Sequence, residues 1–146
     1  MTSTPSVRRG SGSRAREAAR FYEEILGFEL KLDRDWVKIF KYASDCHVGL
    51  VDASMGSHKV MDEKSARLQL MVEDAQEWHD YVKSKGLKPS NDDLKEGVTL
   101  HIKAFSVEDP GGYTVEFCEY TTPWGLLETF HYLNYLIYVR CPVPEP

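Results

Sequence analysis

One order of elements, helix–glycine–strand–strand–strand, occurs twice in this chain, and few folds accommodate such a repeat. Ala18, Phe21, Tyr22 and Ile25 recur at helical spacing across residues 16–26, and Gly27 stands where a left-handed C-terminal cap belongs. Phe28–Leu32 alternates apolar and charged residues, the pattern of a half-buried strand. After the turn Asp33-Arg34-Asp35 come two more strands, Trp36–Tyr42 and Cys46–Val51, and then a polar linker over 52–64. The second copy has a strand in front, Arg67–Val72. Asp74 and Glu77 form a capping box for a helix that buries Ala75, Trp78 and Val82, runs to Lys85 and is capped by Gly86. A polar loop, a strand over 100–107, the turn Asp109-Pro110-Gly111-Gly112 and a strand over 113–120 complete it. Two such half-units predict a pseudo-symmetric fold with a site between them.

The first copy lacks a leading strand, because residues 1–14 carry Ser, Thr, Gly, Pro and Arg and almost nothing apolar. They read as a flexible leader, with no apolar stretch for a secretory signal. The tail offers a replacement. Residues 130–139 are rich in β-branched and aromatic residues, and NYLIYVR at 134–140 aligns without gaps to RLQLMVE at 67–73. Residues 133–140 are therefore expected in the empty first-strand slot, as in a circular permutant or a swapped dimer. The alternative is an extra strand or helix added at a sheet edge.

With 146 residues the chain holds one domain. We take it as 15–146, with module one at 15–52 plus 130–140 and module two at 65–120. The net charge of -5 argues against a nucleic-acid groove, which concentrates Lys and Arg. No apolar run approaches the roughly 20 residues that span a bilayer. Cys46, Cys118 and Cys141 are odd in number and scattered, which suggests reduced thiols in a cytoplasmic protein rather than a disulfide framework.

AARFYEEILGFEL at 18–30 and FSVEDPGGYTVEF at 105–117 resemble two signature stretches of the vicinal oxygen chelate superfamily. That superfamily includes glyoxalase I, bleomycin-resistance proteins, fosfomycin-resistance enzymes, methylmalonyl-CoA epimerase and extradiol dioxygenases. The resemblance implies an α+β fold of paired βαβββ modules, whose curled mixed sheets surround a cavity, often in a dimer. It also implies four metal-ligand positions, in the first and last strand of each module. Carried over, these fall on Glu116, Gly49, Arg67 and, if the tail fills the slot, Asn134. One carboxylate, one glycine, one arginine and one amide make a poor divalent-metal site. His47, two residues from Gly49, joins Glu116 as a weak candidate ligand.

Strand alternation places Arg67, Gln69 and Met71 on one side of their strand, and Thr114, Glu116, Cys118 and Tyr120 together on theirs. Trp36, Lys38, Phe40 and Tyr42 form another possible lining, and Asn134, Leu136 and Tyr138 join under the permutation. The expected ligand-binding set is Trp36, Tyr42, Arg67, Gln69, Glu116, Asn134 and Tyr138. An Arg67–Glu116 ion pair is expected within it. Such a groove suits a planar or cationic small molecule. The leading expectation is a homodimeric binding protein, similar to bleomycin-resistance members, that sequesters a ligand without metal or other cofactor. The alternatives are a divalent-metal-dependent lyase, isomerase or dioxygenase with Glu116 as ligand or base, and a non-catalytic interaction module.

Overall fold

The structure, a computed structural model, describes residues 11–97, 101–122 and 143–144. Helix α1 (Ser11–Arg20) begins inside the segment read as leader and passes into a π-helical turn, Phe21–Ile25. The Leu26 N–H bonds Phe21 O, and Gly27 then takes φ +71°, the left-handed value its position calls for. Strands β1 (Glu29–Arg34), β2 (Val37–Ala43) and β3 (Cys46–Val51) follow as an antiparallel sheet in the order β1-β2-β3.

In the second module β4 (Arg67–Met71) leads into α2 (Ala75–Ser84), and then come β5 (Glu96–Gly97), β6 (Ile102–Glu108) and β7 (Thr114–Tyr120). The Glu77 N–H donates to Asp74 Oδ1 at 2.9 Å, so the expected cap forms. The Ala75 N–H donates to Glu119 of β7 at 2.9 Å, which places a carboxylate at the positive end of α2. The sheet order is β4-β7-β6-β5, with β4 parallel to β7. Module one thus has the last three strands of this pattern, and the segment 133–140 lies outside the described residues. The fold is α+β with two open sheets.

Both sheets bury the face that meets the helices. Phe40, Phe105, Phe117, Leu70, Val115 and Trp78 are essentially inaccessible, and they join Phe21, Tyr22, Leu26 and Phe28 in one shared core. Phe105 stacks on Phe117 at 4.8 Å, and Trp78 closes over Phe117 at 4.9 Å. His79, buried on the same helix, sets its ring edge-on to Phe105 and donates from Nε2 to Asn91 O at 2.8 Å.

Alternation in β1 does not run as its sequence suggests. A bulge at Lys31 sets Leu30 opposite Phe40 but Leu32 opposite the adjacent Ile39. Leu30 therefore packs on the core, and Leu32 turns to the other face.

The modules are joined by a buried polar contact. The Tyr22 hydroxyl donates to Asp109 Oδ2 at 3.0 Å, while Asp109 Oδ1 accepts from the N–H groups of Gly111 and Tyr113, each at 2.8 Å. Burial, reinforced by the adjacent Asp109 carboxylate, pushes the Tyr22 hydroxyl far above the ordinary phenol range, so it stays a donor. A second link runs from the Tyr81 hydroxyl to Ile25 O at 2.8 Å. The chain's end also returns to module one. Val143 packs on the core, and a Cβ on Gly27 would meet Pro144 Cγ at 2.6 Å.

Two outcomes follow from these contacts. Tyr22→Phe should lower unfolding free energy by about 2 kcal/mol, since it strips a buried carboxylate of a donor; a urea titration showing under about 0.5 kcal/mol would refute the latch. Gly27→Ala should cost more than Gly86→Ala in the same assay. Both glycines have positive φ, but only Gly27 also faces a proline, while Gly86 opens on free space.

Candidate functional site

The faces of the sheets that turn away from the helices carry the candidate chemistry. In the parallel β4–β7 ladder Leu68 and Leu70 lie beside Val115 and Phe117, all directed inward. That leaves Arg67, Gln69, Met71, Thr114, Glu116 and Cys118 together on the opposite face. Across β6 the same face continues with Ser106 opposite Glu116, Ala104 opposite Cys118 and Ile102 opposite Tyr120.

Two diagonal contacts order this face. Arg67 Nη1 donates to Glu116 Oε1 at 3.0 Å, and Gln69 Nε2 donates to Cys118 Sγ at 3.0 Å. The Arg67 side chain is 62% exposed and the Glu116 side chain 21%, so the carboxylate is sheltered while its cation remains open to solvent. A pair this exposed contributes little to stability. Its effect is to hold a fork of hydrogen-bond donors and a carboxylate at one place.

Cys118 is fully buried. Burial pushes its thiol up to about 11, against which the Gln69 hydrogen bond acts only partly. At neutral pH it is an unionised sulfur that accepts from Gln69 and no nucleophile. Cys46 is also buried and free, and Cys141 lies outside the described residues.

The other expected site residues are placed differently. Phe40 is wholly buried against Tyr22, and Tyr42 stacks on Phe28 at 5.3 Å, so both belong to the core face of β2. Trp36 precedes β2 at its outer end, 47% exposed. The residues of β2 that turn away from the core are Val37, Ile39 and Lys41, which pair with Val51, Gly49 and His47. Tyr42 is expected among the ligand contacts on account of its aromatic size; the stacking partner described for it lies within the protein. Asn134 and Tyr138 lie outside the described residues. Two contacts that sequence reading passed over are Gln69–Cys118 and Tyr22–Asp109. The second was signalled by Asp109 opening a Pro-Gly-Gly turn, a position where Asp caps backbone N–H groups.

The described residues do not assemble a divalent-metal site. Among the described residues no three His, Cys, Asp or Glu side chains come together. Glu116 is held by a guanidinium, and His47 sits across from Lys41 with its Nδ1 turned to Asp45 O at 3.0 Å. Cationic residues beside both candidate ligands disfavour a second cation there. A separate surface hollow of about 550 Å³ lies between α1 and the β1–β2 strands, walled by Arg16, Glu17, Arg20, Glu23, Asp33 and Lys38. It is on the helix side of sheet one, away from Arg67 and Glu116, and its charges are of both signs, with Lys38 paired to Asp33. Among the described residues no helix is long and apolar enough to cross a membrane.

A family model described as Glyoxalase/Bleomycin resistance protein/Dioxygenase superfamily matches residues 12–117. No curated protein matches the sequence. Among solved structures, lactoylglutathione lyase from Agrobacterium tumefaciens superposes with a TM-score of 0.57 at 17% identity, covering 72% of this chain and 84% of that one. An antibiotic-binding protein from a Streptomyces species gives 0.56 at 21% identity over 71% and 84%. A fosfomycin resistance protein from Listeria monocytogenes, solved with Mn(II) and sulfate, gives 0.59 at 13% identity over 80% and 88%. At these identities the likeness is one of fold.

The Cys118 thiol carries a pH prediction. Unfolded, it ionises near 9.0, and folded near about 11, so the unfolded state sheds its proton first. This contribution to stability is complete below pH 9.0 and is lost as pH rises towards about 11. Cys118→Ala should flatten the fall in unfolding free energy between pH 9 and 10 measured by denaturant titration; an unchanged slope would contradict the assignment.

Proposed function

The chain belongs to the glyoxalase/bleomycin resistance protein/dioxygenase superfamily, and on that footing we propose that it is a small-molecule-binding protein that sequesters its ligand between the modules without a metal. The observation that carries this reading is the Arg67–Glu116 pair at 3.0 Å. The glutamate at the position where metallated relatives ligate is neutralised by the protein's own cation. Such a pair can open to a ligand, Glu116 taking a cationic or hydroxyl group while Arg67 takes an anionic or carbonyl oxygen. Gln69 adds an amide, and Ile102 and Tyr120 supply apolar and aromatic surface farther along the same face. The antibiotic-binding protein of the same fold supports the reading by analogy. Trp36 and Tyr42 remain proposed contacts only through a rim at the end of sheet one, and Asn134 and Tyr138 through the tail. The working protein is proposed as a homodimer in the cytoplasm.

Two experiments test this. Elemental analysis of protein purified without chelators or a His-tag should find well under one divalent metal per chain; near one Ni, Zn, Mn or Fe would overturn the reading and favour a metal-dependent lyase, isomerase or dioxygenase. A thermal-shift screen of glycopeptide and planar aromatic antibiotics should yield a stabilising ligand. Calorimetry with that compound should show Glu116→Ala and Arg67→Ala binding at least about 10-fold more weakly, with unfolding free energy changed by under about 1 kcal/mol. Equal affinity in both variants would remove these residues from the site.

A further inference from the structure

The linker between the modules, residues 52–64, holds large apolar side chains out in solvent. Met55 and Met61 are each 63% exposed and Val60 is 59% exposed, whereas Met71 on β4 is buried. A methionine placed this way adds little to the core. Its thioether sulfur is, however, a soft metal donor that carries no charge and needs no deprotonation. The two methionines flank a histidine at equal spacing, Met55-Gly-Ser-His58-Lys-Val-Met61, and His58 is exposed as well. Two thioethers and one imidazole make a soft, neutral donor set. Such a set selects copper(I) over the hard cations that oxygen ligands hold.

Both ends of this stretch are tethered. Asp52 builds a turn at the first end. Its Oδ1 accepts from the Ser54 N–H at 2.8 Å and from Ser54 Oγ at 2.5 Å, and its carbonyl accepts from the N–H groups of Met55 at 3.0 Å and Gly56 at 2.9 Å. At the second end Lys64 donates from Nζ to Met61 O and lies over the Tyr113 ring, 4.9 Å from its centroid. The linker is thereby fastened to the β6–β7 turn. Between the tethers the chain is neither helix nor strand, and it contains Gly56 and Ser57. Met55 and Met61 stand at most roughly 20 Å apart even when the chain is extended, and bends at a glycine bring them closer. Lys59 is outnumbered by Asp62 and Glu63, so a monovalent cation meets no net repulsion here.

We propose that Met55, His58 and Met61 form a copper(I) site, in which the two thioether sulfurs and one ring nitrogen of His58 close round a single ion. The site lies in the linker, apart from Arg67 and Glu116. Its ion is soft and monovalent, so it is independent of whether the groove takes a ligand or a divalent metal.

Nuclear magnetic resonance on the full chain, labelled with carbon-13 at the methionine methyls, tests this. On anaerobic addition of one equivalent of copper(I), kept reduced by ascorbate, the Met55 and Met61 signals should shift together while Met71 stays in place. Magnesium should move none of them. In competition against the copper(I) chelator bicinchoninate, Met55→Leu, Met61→Leu and His58→Gln should each bind copper(I) at least about 10-fold more weakly. Leucine keeps the size of methionine on an exposed loop, so these variants retain the fold. Shifts at only one of the two methionines, or at neither, would overturn the site. So would equal copper(I) affinity in the double variant Met55→Leu/Met61→Leu, which would assign the ion to the cysteine thiols instead.

Discussion

The hydrogen bond between Tyr22 and Asp109 is the contact on which the two-module arrangement turns. Each module is a short helix on a small sheet, too little chain to bury a self-sufficient core. The two therefore share one, and their helical segments and sheets meet around Tyr22, whose ring stacks near Phe40 at 6.1 Å and meets Phe21 edge-on at 5.2 Å. A tyrosine so placed brings a hydroxyl into an apolar interior, where an unpaired donor is costly. Asp109 accepts it while its other oxygen holds the β6–β7 turn closed. One carboxylate thus shapes a hairpin of module two and receives the first helical segment of module one.

Because both sheets spend their helix-side faces on that core, their other faces are released for chemistry. On module two this face is polar and organised, with Arg67 on Glu116 and Gln69 on Cys118. On module one it is mostly aliphatic, Leu32, Val37, Ile39 and Val51, ending in Lys41 and His47. The chemistry is concentrated on one side, and among the described residues it includes no set of converging metal donors. The cations Arg67 and Lys41 stand beside the residues that would have to ligate. Family membership alone does not settle what such a face does, since the same fold serves lyases, antibiotic binders and fosfomycin resistance.

Much of the architecture was legible from local chemistry. Glycines 27 and 86 end their helical segments with positive φ, and Asp74 caps α2, because these roles depend on a few neighbouring backbone groups. The inward set Leu68, Leu70, Val115 and Phe117 was readable from alternation, and so was the grouping of Arg67, Gln69 and Glu116 opposite it. Alternation failed where a ladder is irregular. The bulge at Lys31 sends Leu32 away from the face of Leu30, and a bulge is a property of two paired strands rather than of one sequence. Alternation did group Phe40 with Tyr42, but that their shared face is the core face depends on Phe28 and Tyr22 rather than on anything within β2. The helical start was read at Arg16 from its apolar spacing, yet α1 begins at Ser11, in residues that carry no apolar signal.

The sequence by itself determined the repeat, the order of elements, the family and the residue types available to a site, because these depend on periodicity, caps and turns that act over a few residues. The tertiary structure alone decided that the Phe40–Tyr42 face of β2 is spent on the core, that Asp109 serves both modules and that Gln69 reaches Cys118. These are contacts between residues tens of positions apart, 87 between Tyr22 and Asp109 and 49 between Gln69 and Cys118. No local pattern encodes such pairings, since they arise only when helices and sheets compete for the same apolar surface.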